Sequence, residues 1–263
     1  MSLIHQSYSI DNIIVVDDGS TDDTGEIVTQ LCQKHANLKL VVNHHKDQRA
    51  TGAKIVKAFN LGLASVDHSQ FDLVSKFDAD LEFPTHYIEE ITAAFEADER
   101  LGLCGGYCLV NNGDKWQKET VAKNDHIRGA LKSYRVSAFN QMDGLKLFMG
   151  WDSADEFHLR FNGWKIKLLK DLNVKHYRKT DSLNGWVKTA RLNAEVFHNL
   201  GYGIIIGTFS CLKRMIVSRP FILNGVYTLF YFFKLYIRGR KPYLSKEVVK
   251  SVRAYRWSKI LRK

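Results

Sequence analysis

Apolar runs that stop on aspartates constrain this chain more than any other feature. Residues 71–84 read FDLVSKFDADLEFP, in which Phe71, Leu73, Val74 and Phe77 mark a buried strand. The strand stops at Asp78-Ala79-Asp80, and Pro84 opens a helix. Two carboxylates this close repel, and both stay ionised at little cost only when a cation lies between them. Oxygen ligands of this kind suit Mg²⁺ or Mn²⁺. The competing reading is a solvated turn, because Asp favours strand ends for its own local hydrogen bonds.

The segments around this pivot alternate. Asn12–Val16 reads as a strand ending in Asp17-Asp18-Gly19-Ser20-Thr21-Asp22-Asp23, with Ser20, Thr21 or Asp22 able to cap the next helix. Leu38–Val42 is a second strand, residues 49–66 a helix, Pro84 the start of another helix, and Leu101–Val110 a further strand. Strands alternating with helices predict an α/β fold with a mainly parallel sheet. Ligands of such sheets sit outside the carboxyl ends of the strands, where both acidic clusters fall. In the second half, residues 129–135 suggest a short strand. Trp151-Asp152-Ser153-Ala154-Asp155-Glu156 begins a helix that Asp152 can cap and Gly163 closes. Lys165–Leu169 and Leu172–Lys175 read as a strand pair ending at His176.

With 263 residues, 45% of them hydrophobic, the chain has enough for one large domain, or one domain plus an appendage. The net charge of +10 is concentrated at the end: residues 238–263 hold ten Lys and Arg against Glu247 alone. The body is near neutral, which argues against a nucleic-acid-binding protein. Cys32, Cys104, Cys108 and Cys211 form no C-x-x-C pair and read as reduced, buried thiols of a cytoplasmic protein, and no signal peptide is expected at the start. A helix is expected around 187–200. The aromatic run Phe221–Tyr236 is interrupted too often to span a bilayer and reads as a buried or an interfacial helix. Lys246, Lys250 and Arg253 share a helix face opposite Val248, Val252 and Tyr255, a pattern that favours an anionic membrane surface.

Four stretches in order, VVDDGSTDDT (15–24), KFDADLEFP (76–84), GWDSADEFHLRFNGWKI (150–166) and VKHYR (174–178), resemble family 2 glycosyltransferases of the A-type, Rossmann-like fold. The resemblance covers about 170 residues. It implies a catalytic domain over 1–180, followed by a helical, aromatic and basic extension over 181–263. It also implies transfer of a sugar from a nucleotide-sugar donor, UDP-type favoured, to a glycan or lipid-linked acceptor in cell-surface polysaccharide synthesis. The protein would be cytoplasmic and peripheral at the inner face of the cell membrane. Asp18 would bind the donor base while Asp17 shapes its loop. Asp80 would be a direct metal ligand, with Asp78 towards the ribose or metal-bound water. His176 would add a late metal or phosphate contact. Lys46, Gln48 and Arg49 could approach the diphosphate. Asp152 would be the base that deprotonates the acceptor, with Asp155 second, and a single displacement would invert the anomeric centre.

One departure accompanies the resemblance. Relatives carry a strand and a helix before the VVDDGS strand, whereas here Ser2-Leu3-Ile4-His5-Gln6 resembles only the end of that helix. A missing central strand leaves backbone groups unpaired. The expectation is a weakly stable or weakly donor-binding chain, and a catalytically impaired scaffold or glycan-binding protein is the alternative function.

Overall fold

The computed structural model describes residues 1–43, 53–111, 113, 115–118, 126–177 and 185–261. Lys46, Gln48 and Arg49 lie outside the described residues. The chain forms two compact units, Met1–Leu147 with Asn162–Lys179, and Phe148–Phe161 with Thr180–Lys263.

The first unit begins β1 (Ile13–Asp17), α1 (Thr24–Lys34), β2 (Leu38–Val42), α2 (Ala53–Leu63), β3 (Leu73–Phe77), β4 (Leu81–Glu82) and α3 (Tyr87–Glu96). It continues through β5 (Leu101–Asn111), β6 (Trp116–Lys118), β7 (Leu131–Arg135) and α4 (Val136–Gln141). After α5 (Trp151–Phe161), which belongs to the second unit, β8 (Lys165–His176) returns to complete the sheet.

The α/β class is as expected, but the sheet is mixed rather than mainly parallel. β1 and β2 pair in parallel as a separate two-stranded sheet. The larger sheet runs β3-β7-β5-β8-β4, with β6 paired to β5. Among the described strands only β5 and β8 are parallel in it; β7 lies antiparallel to β3 and β5, and β4 antiparallel to β8. The cause is connectivity. A parallel pair needs a crossover of a dozen or more residues, usually a helix, and no described helix separates β5, β6 and β7. The expected pair 165–169 and 172–175 is one strand, β8. It follows β5 along its whole length through two register irregularities. At the second of these the backbones come very close. A Cβ on Gly105 would sit 2.4 Å from the Leu131 carbonyl oxygen, and one on Gly106 2.4 Å from that of Leu172. Only residues without a side chain fit there.

One core cluster fills the space between α3 and this sheet, with Phe83, Tyr87, Ile91, Phe95, Leu101 and Val174 among its members. Tyr87 is fully buried, and its hydroxyl accepts the Gly106 N–H at 3.2 Å. Burial pushes the Cys104 thiol up to about 12, so it is an inert core residue. Arg135 ties β7 to the α3–β5 turn: it donates to the carbonyls of Phe95 (2.7 Å), Asp98 (3.2 Å) and Leu101 (3.1 Å). The N-terminal segment packs on the start of α3. Gln6 Oε1 accepts the Ile88 N–H at 3.0 Å, which satisfies one of the orphan donors of that helix end, and Leu3 joins the core.

The second unit holds α5, α6 (Trp186–Asn199), α7 (Gly203–Val217), α8 (Leu223–Ile237) and α9 (Lys246–Leu261). Ala154, Phe157, Leu200, Ile206, Val248 and Val252 form one core, and Ala194, Cys211 and Phe232 another. The α7 segment has no counterpart among the sequence-based expectations. No described helix is long and apolar enough to cross a membrane.

His198 is buried in this unit against the Tyr236 ring, with centroids 5.0 Å apart. Burial lowers its pKa below the usual imidazole value of 6.5. In the unfolded chain the ring protonates near that usual value. Stability is therefore fully present above it and declines as pH falls below it. Melting curves recorded from about pH 8 down to about pH 5 are expected to show this loss. A His198→Gln variant, having no titration there, should show a shallower slope over the same range. Equal slopes would contradict the assignment.

Candidate active site

The pivot of the sequence becomes a cluster because of how β3, β4 and β8 are paired. Asp78 follows the last residue of β3, and its N–H donates to the Ala130 carbonyl at 3.1 Å, which prolongs the β3–β7 ladder by one step. Asp80 immediately precedes β4. The two residues of β4 pair with the end of β8, Leu81 opposite His176 and Glu82 opposite Lys175. The Tyr177 N–H adds a hydrogen bond to the Asp80 carbonyl at 3.0 Å. This short ladder places His176 beside the two aspartates. One ligand atom each from Asp78, Asp80 and His176 lies within 4.8 Å of the others.

His176 is buried and its Nε2 lies 3.3 Å from Asp80 Oδ1. Its buried Nδ1 has no hydrogen-bond partner among the described residues. Two carboxylates and an imidazole fit a six-coordinate divalent cation that keeps further positions for a diphosphate and water. The Lys76 ammonium, itself buried, reaches both the Asp78 carboxylate and the Gly129 carbonyl, the latter at 3.0 Å. Asp78 is thus partly neutralised from inside the protein. Strand periodicity carries the signal for this contact: Lys76 lies two residues before Asp78 and so shares its side of the chain.

A second group stands next to His176. Glu82 accepts from Lys175 Nζ at 2.8 Å and from the Tyr177 hydroxyl. These two bonds, Lys175 first, hold the Glu82 carboxyl below its ordinary pKa. The Trp116 ring lies edge to face with Tyr177 at 5.3 Å, and the Lys175 ammonium stands 5.7 Å from its centre.

The first acidic cluster is a built turn at the end of β1. Asp17 is buried and its Oδ1 accepts the Ser20 N–H at 2.8 Å. That bond, with help from the Ser20 hydroxyl, lowers its pKa. Gly19 adopts φ +86° to close the turn. Asp18 is held differently. Asn43, after the end of β2, donates to it at 2.6 Å, and Lys54, in the first turn of α2, pairs with it at 2.9 Å. Neither partner is encoded by a local motif, because both depend on how β2 and α2 pack beside β1.

Asp152 and Asp155 lie on α5 in the second unit. Asp152 is partly exposed, within the first turn, so it does not occupy the capping position expected of it; Gly150 precedes the helix at φ +99°. Asp155 is buried, and its Oδ1 accepts the Glu156 N–H at 2.6 Å. Gly163 follows the helix at φ +83°, the left-handed conformation expected of a closing residue.

Residues 1–148 match the profile of the Glycosyl transferase family 2. The chain belongs to this family. Among its curated relatives are uncharacterized glycosyltransferases of Nostoc sp., 30% identical over 139 residues, and of Escherichia coli, 30% identical over 118 residues. These alignments cover 53% and 44% of this family 2 chain but only 40% and 31% of the relatives. Among solved structures, the fold is similar to a mannosyltransferase from Pyrobaculum calidifontis in complex with GDP-Man and Mn²⁺. The TM-score is 0.55 at 14% identity, covering 100% of this chain and 70% of that one. It is also similar to GalNAc-T7 with UDP, GalNAc and Mn²⁺. There the TM-score is 0.59 at 12% identity, covering 98% and 53%. The glycosyltransferase A-type fold expected from the sequence is therefore the fold of this family 2 member.

Proposed function

We propose that the chain transfers a sugar from a nucleotide-sugar donor to a glycan or lipid-linked acceptor, with Asp78, Asp80 and His176 holding a divalent cation. The convergence of these three side chains at the carboxyl end of β3 is the observation that carries the reading. Membership of the family and two structural neighbours that hold Mn²⁺ with a sugar nucleotide or UDP support it. An imidazole among the ligands favours Mn²⁺ over Mg²⁺, whose preference is more strictly for oxygen. When bound, the cation supplies Lewis-acid stabilisation of the departing diphosphate.

The chain's own residues do the rest. Asp17 fixes the turn after β1, and Asp18, oriented by Asn43 and Lys54, meets the donor base, with UDP-type donors favoured. Lys76 offsets part of the charge of Asp78 and holds its carboxylate at the end of β3. Asp152 takes the proton of the acceptor hydroxyl as it attacks, in one displacement with inversion; its partial exposure suits this role better than the burial of Asp155. Residues 1–180 form the catalytic part and residues 181–263 an extension that associates with the inner face of the cell membrane, where surface polysaccharide is made.

Thermal shift with UDP-, GDP- and TDP-sugars tests the donor. A site-specific ligand at about a hundredfold excess over its Kd adds about 2.7 kcal/mol of stability. The expected result is a shift that requires Mn²⁺ and is largest for a UDP-sugar. No shift with any donor would favour the transferase-like scaffold instead.

A further inference from the structure

Helices α7 and α8 present the wrong kind of surface to water. Their inner sides are tightly packed: a Cβ on Gly207 would meet the Phe232 ring at 2.0 Å, and one on Gly225 the Met215 side chain at 2.2 Å. Their outer sides should then carry charge. Instead Ile205, Phe209, Leu212 and Ile216 recur at helical spacing along α7, all exposed, with Ile216 at 78%. On α8, Leu223, Tyr227, Phe230 and Ile237 do the same, with Ile237 at 86%. Half of the exposed large apolar side chains among the described residues lie between Ile204 and Ile237. A contiguous apolar surface of this kind marks an interaction site.

The charge around it identifies the occupant. Residues 196–246 carry eight Lys and Arg and not one Asp or Glu. Beside the apolar face, a cavity of about 310 Å³ lies between α6 and α8, lined by Arg191, Glu195, Tyr231, Lys234, Arg238 and Arg240 among others. The one carboxylate among its described lining residues, Glu195, is engaged by Arg191 at 3.1 Å. Lys234, Arg238 and Arg240 therefore give the cavity a net positive charge that suits a phosphate. Lys234 also rests near the rings of Phe230 and Tyr231, 5.8 Å from each, where the cavity meets the apolar face.

We propose that the α7–α8 hairpin is a docking surface for an anionic lipid bilayer, with its apolar face in the acyl boundary and a lipid phosphate in the cavity of Lys234, Arg238 and Arg240. An apolar face rimmed by cations is the pattern of helices that lie in a membrane interface. The inference rests on the membrane association proposed above and moves the contact from the basic face of α9 to the hairpin. On α9, Arg253 already donates to the Gly201 carbonyl at 2.7 Å, while Val248, Val249 and Val252 face the core.

The test is co-sedimentation of the full chain with vesicles of phosphatidylcholine alone or mixed with phosphatidylglycerol, beside size-exclusion chromatography. Binding to the anionic vesicles is expected, at least about tenfold stronger than to neutral ones and weakened by salt. The triple variant Phe209→Ser, Ile216→Ser, Phe230→Ser should lose at least about tenfold in binding. The pair Lys234→Gln, Arg238→Gln should lose most of the preference for anionic lipid. All these side chains are partly or fully exposed, so circular dichroism should show folded variants, and the single Phe230→Ser serves if the triple variant does not fold. Donor hydrolysis in lipid-free solution should be unchanged, which separates failure here from failure of the transferase reading. The proposal is overturned if vesicles are not bound, or if neutral and anionic vesicles bind equally. It is also overturned if Lys246→Gln, Lys250→Gln alone abolishes binding. A stable dimer that the triple variant turns into a monomer, without vesicle binding, would make the face a self-interface. A thermal shift with inorganic phosphate, again without vesicle binding, would make the cavity a free-phosphate site.

Discussion

Asp80→Ala is expected to lower Mn²⁺-dependent sugar transfer by about two to three orders of magnitude, the scale of several kcal/mol of charge stabilisation at the leaving group. Folding should survive. The contact that pins this position is made by backbone: the Tyr177 N–H donates to the residue-80 carbonyl, and alanine keeps that bond. The side chain is 27% exposed, but its Oδ1 stands 3.3 Å from buried His176 Nε2, so its removal should cost about 1–3 kcal/mol, short of unfolding the chain. The thermal shift with Mn²⁺ should disappear together with the activity. A variant that transfers sugar at the parental rate, or one that loses activity while keeping the full Mn²⁺ response, would remove Asp80 from the site. Lys76→Met gives an internal comparison: it withdraws charge from Asp78 but leaves all three ligands, so it should retain the Mn²⁺ response.

Asp152→Asn should reduce kcat by about 10²- to 10⁴-fold, the usual contribution of a general base, with little change in the donor's KM. The amide keeps the shape of the side chain in the first turn of α5. The loss of a negative charge near a helix N-terminus costs only about 0.3–1 kcal/mol. Asp155→Asn should behave in the opposite way. Asp155 is buried, where a carboxamide has to find a partner for its NH2, so this replacement should cost stability rather than turnover. Loss of turnover in Asp155→Asn but not in Asp152→Asn would exchange the two roles.

The parts of the fold legible in the sequence were those encoded locally. β1, β3 and α3 announced themselves as apolar runs ended by Asp or begun near Pro, and the acidic clusters at Asp17-Asp18 and Asp78-Asp80 fall at strand ends for the same reason. What the sequence concealed depends on pairing. Strand direction is a property of connections, so the antiparallel β7 and β4 could not be read from alternation alone. The unity of β8 was hidden by Lys170-Asp171, which reads as a polar turn but continues the strand. The Asn43 and Lys54 contacts to Asp18 and the cation-lined cavity beside α8 join residues whose proximity no spacing rule encodes. Helix α7 has no ordinary amphipathic pattern in the sequence, because its apolar residues cover its exposed side as well as its buried one.

The two-residue ladder between β4 and β8 also has a temporal meaning. Glu82 and Lys175 are 93 residues apart in the chain, and the same ladder sets Asp80 against His176. Contacts of such separation form late, because the intervening loop must first be closed. A nascent chain that has emerged as far as α3 therefore carries both aspartates without the strand that orders them. The three proposed cation ligands therefore come together only late in folding, when the sheet is complete.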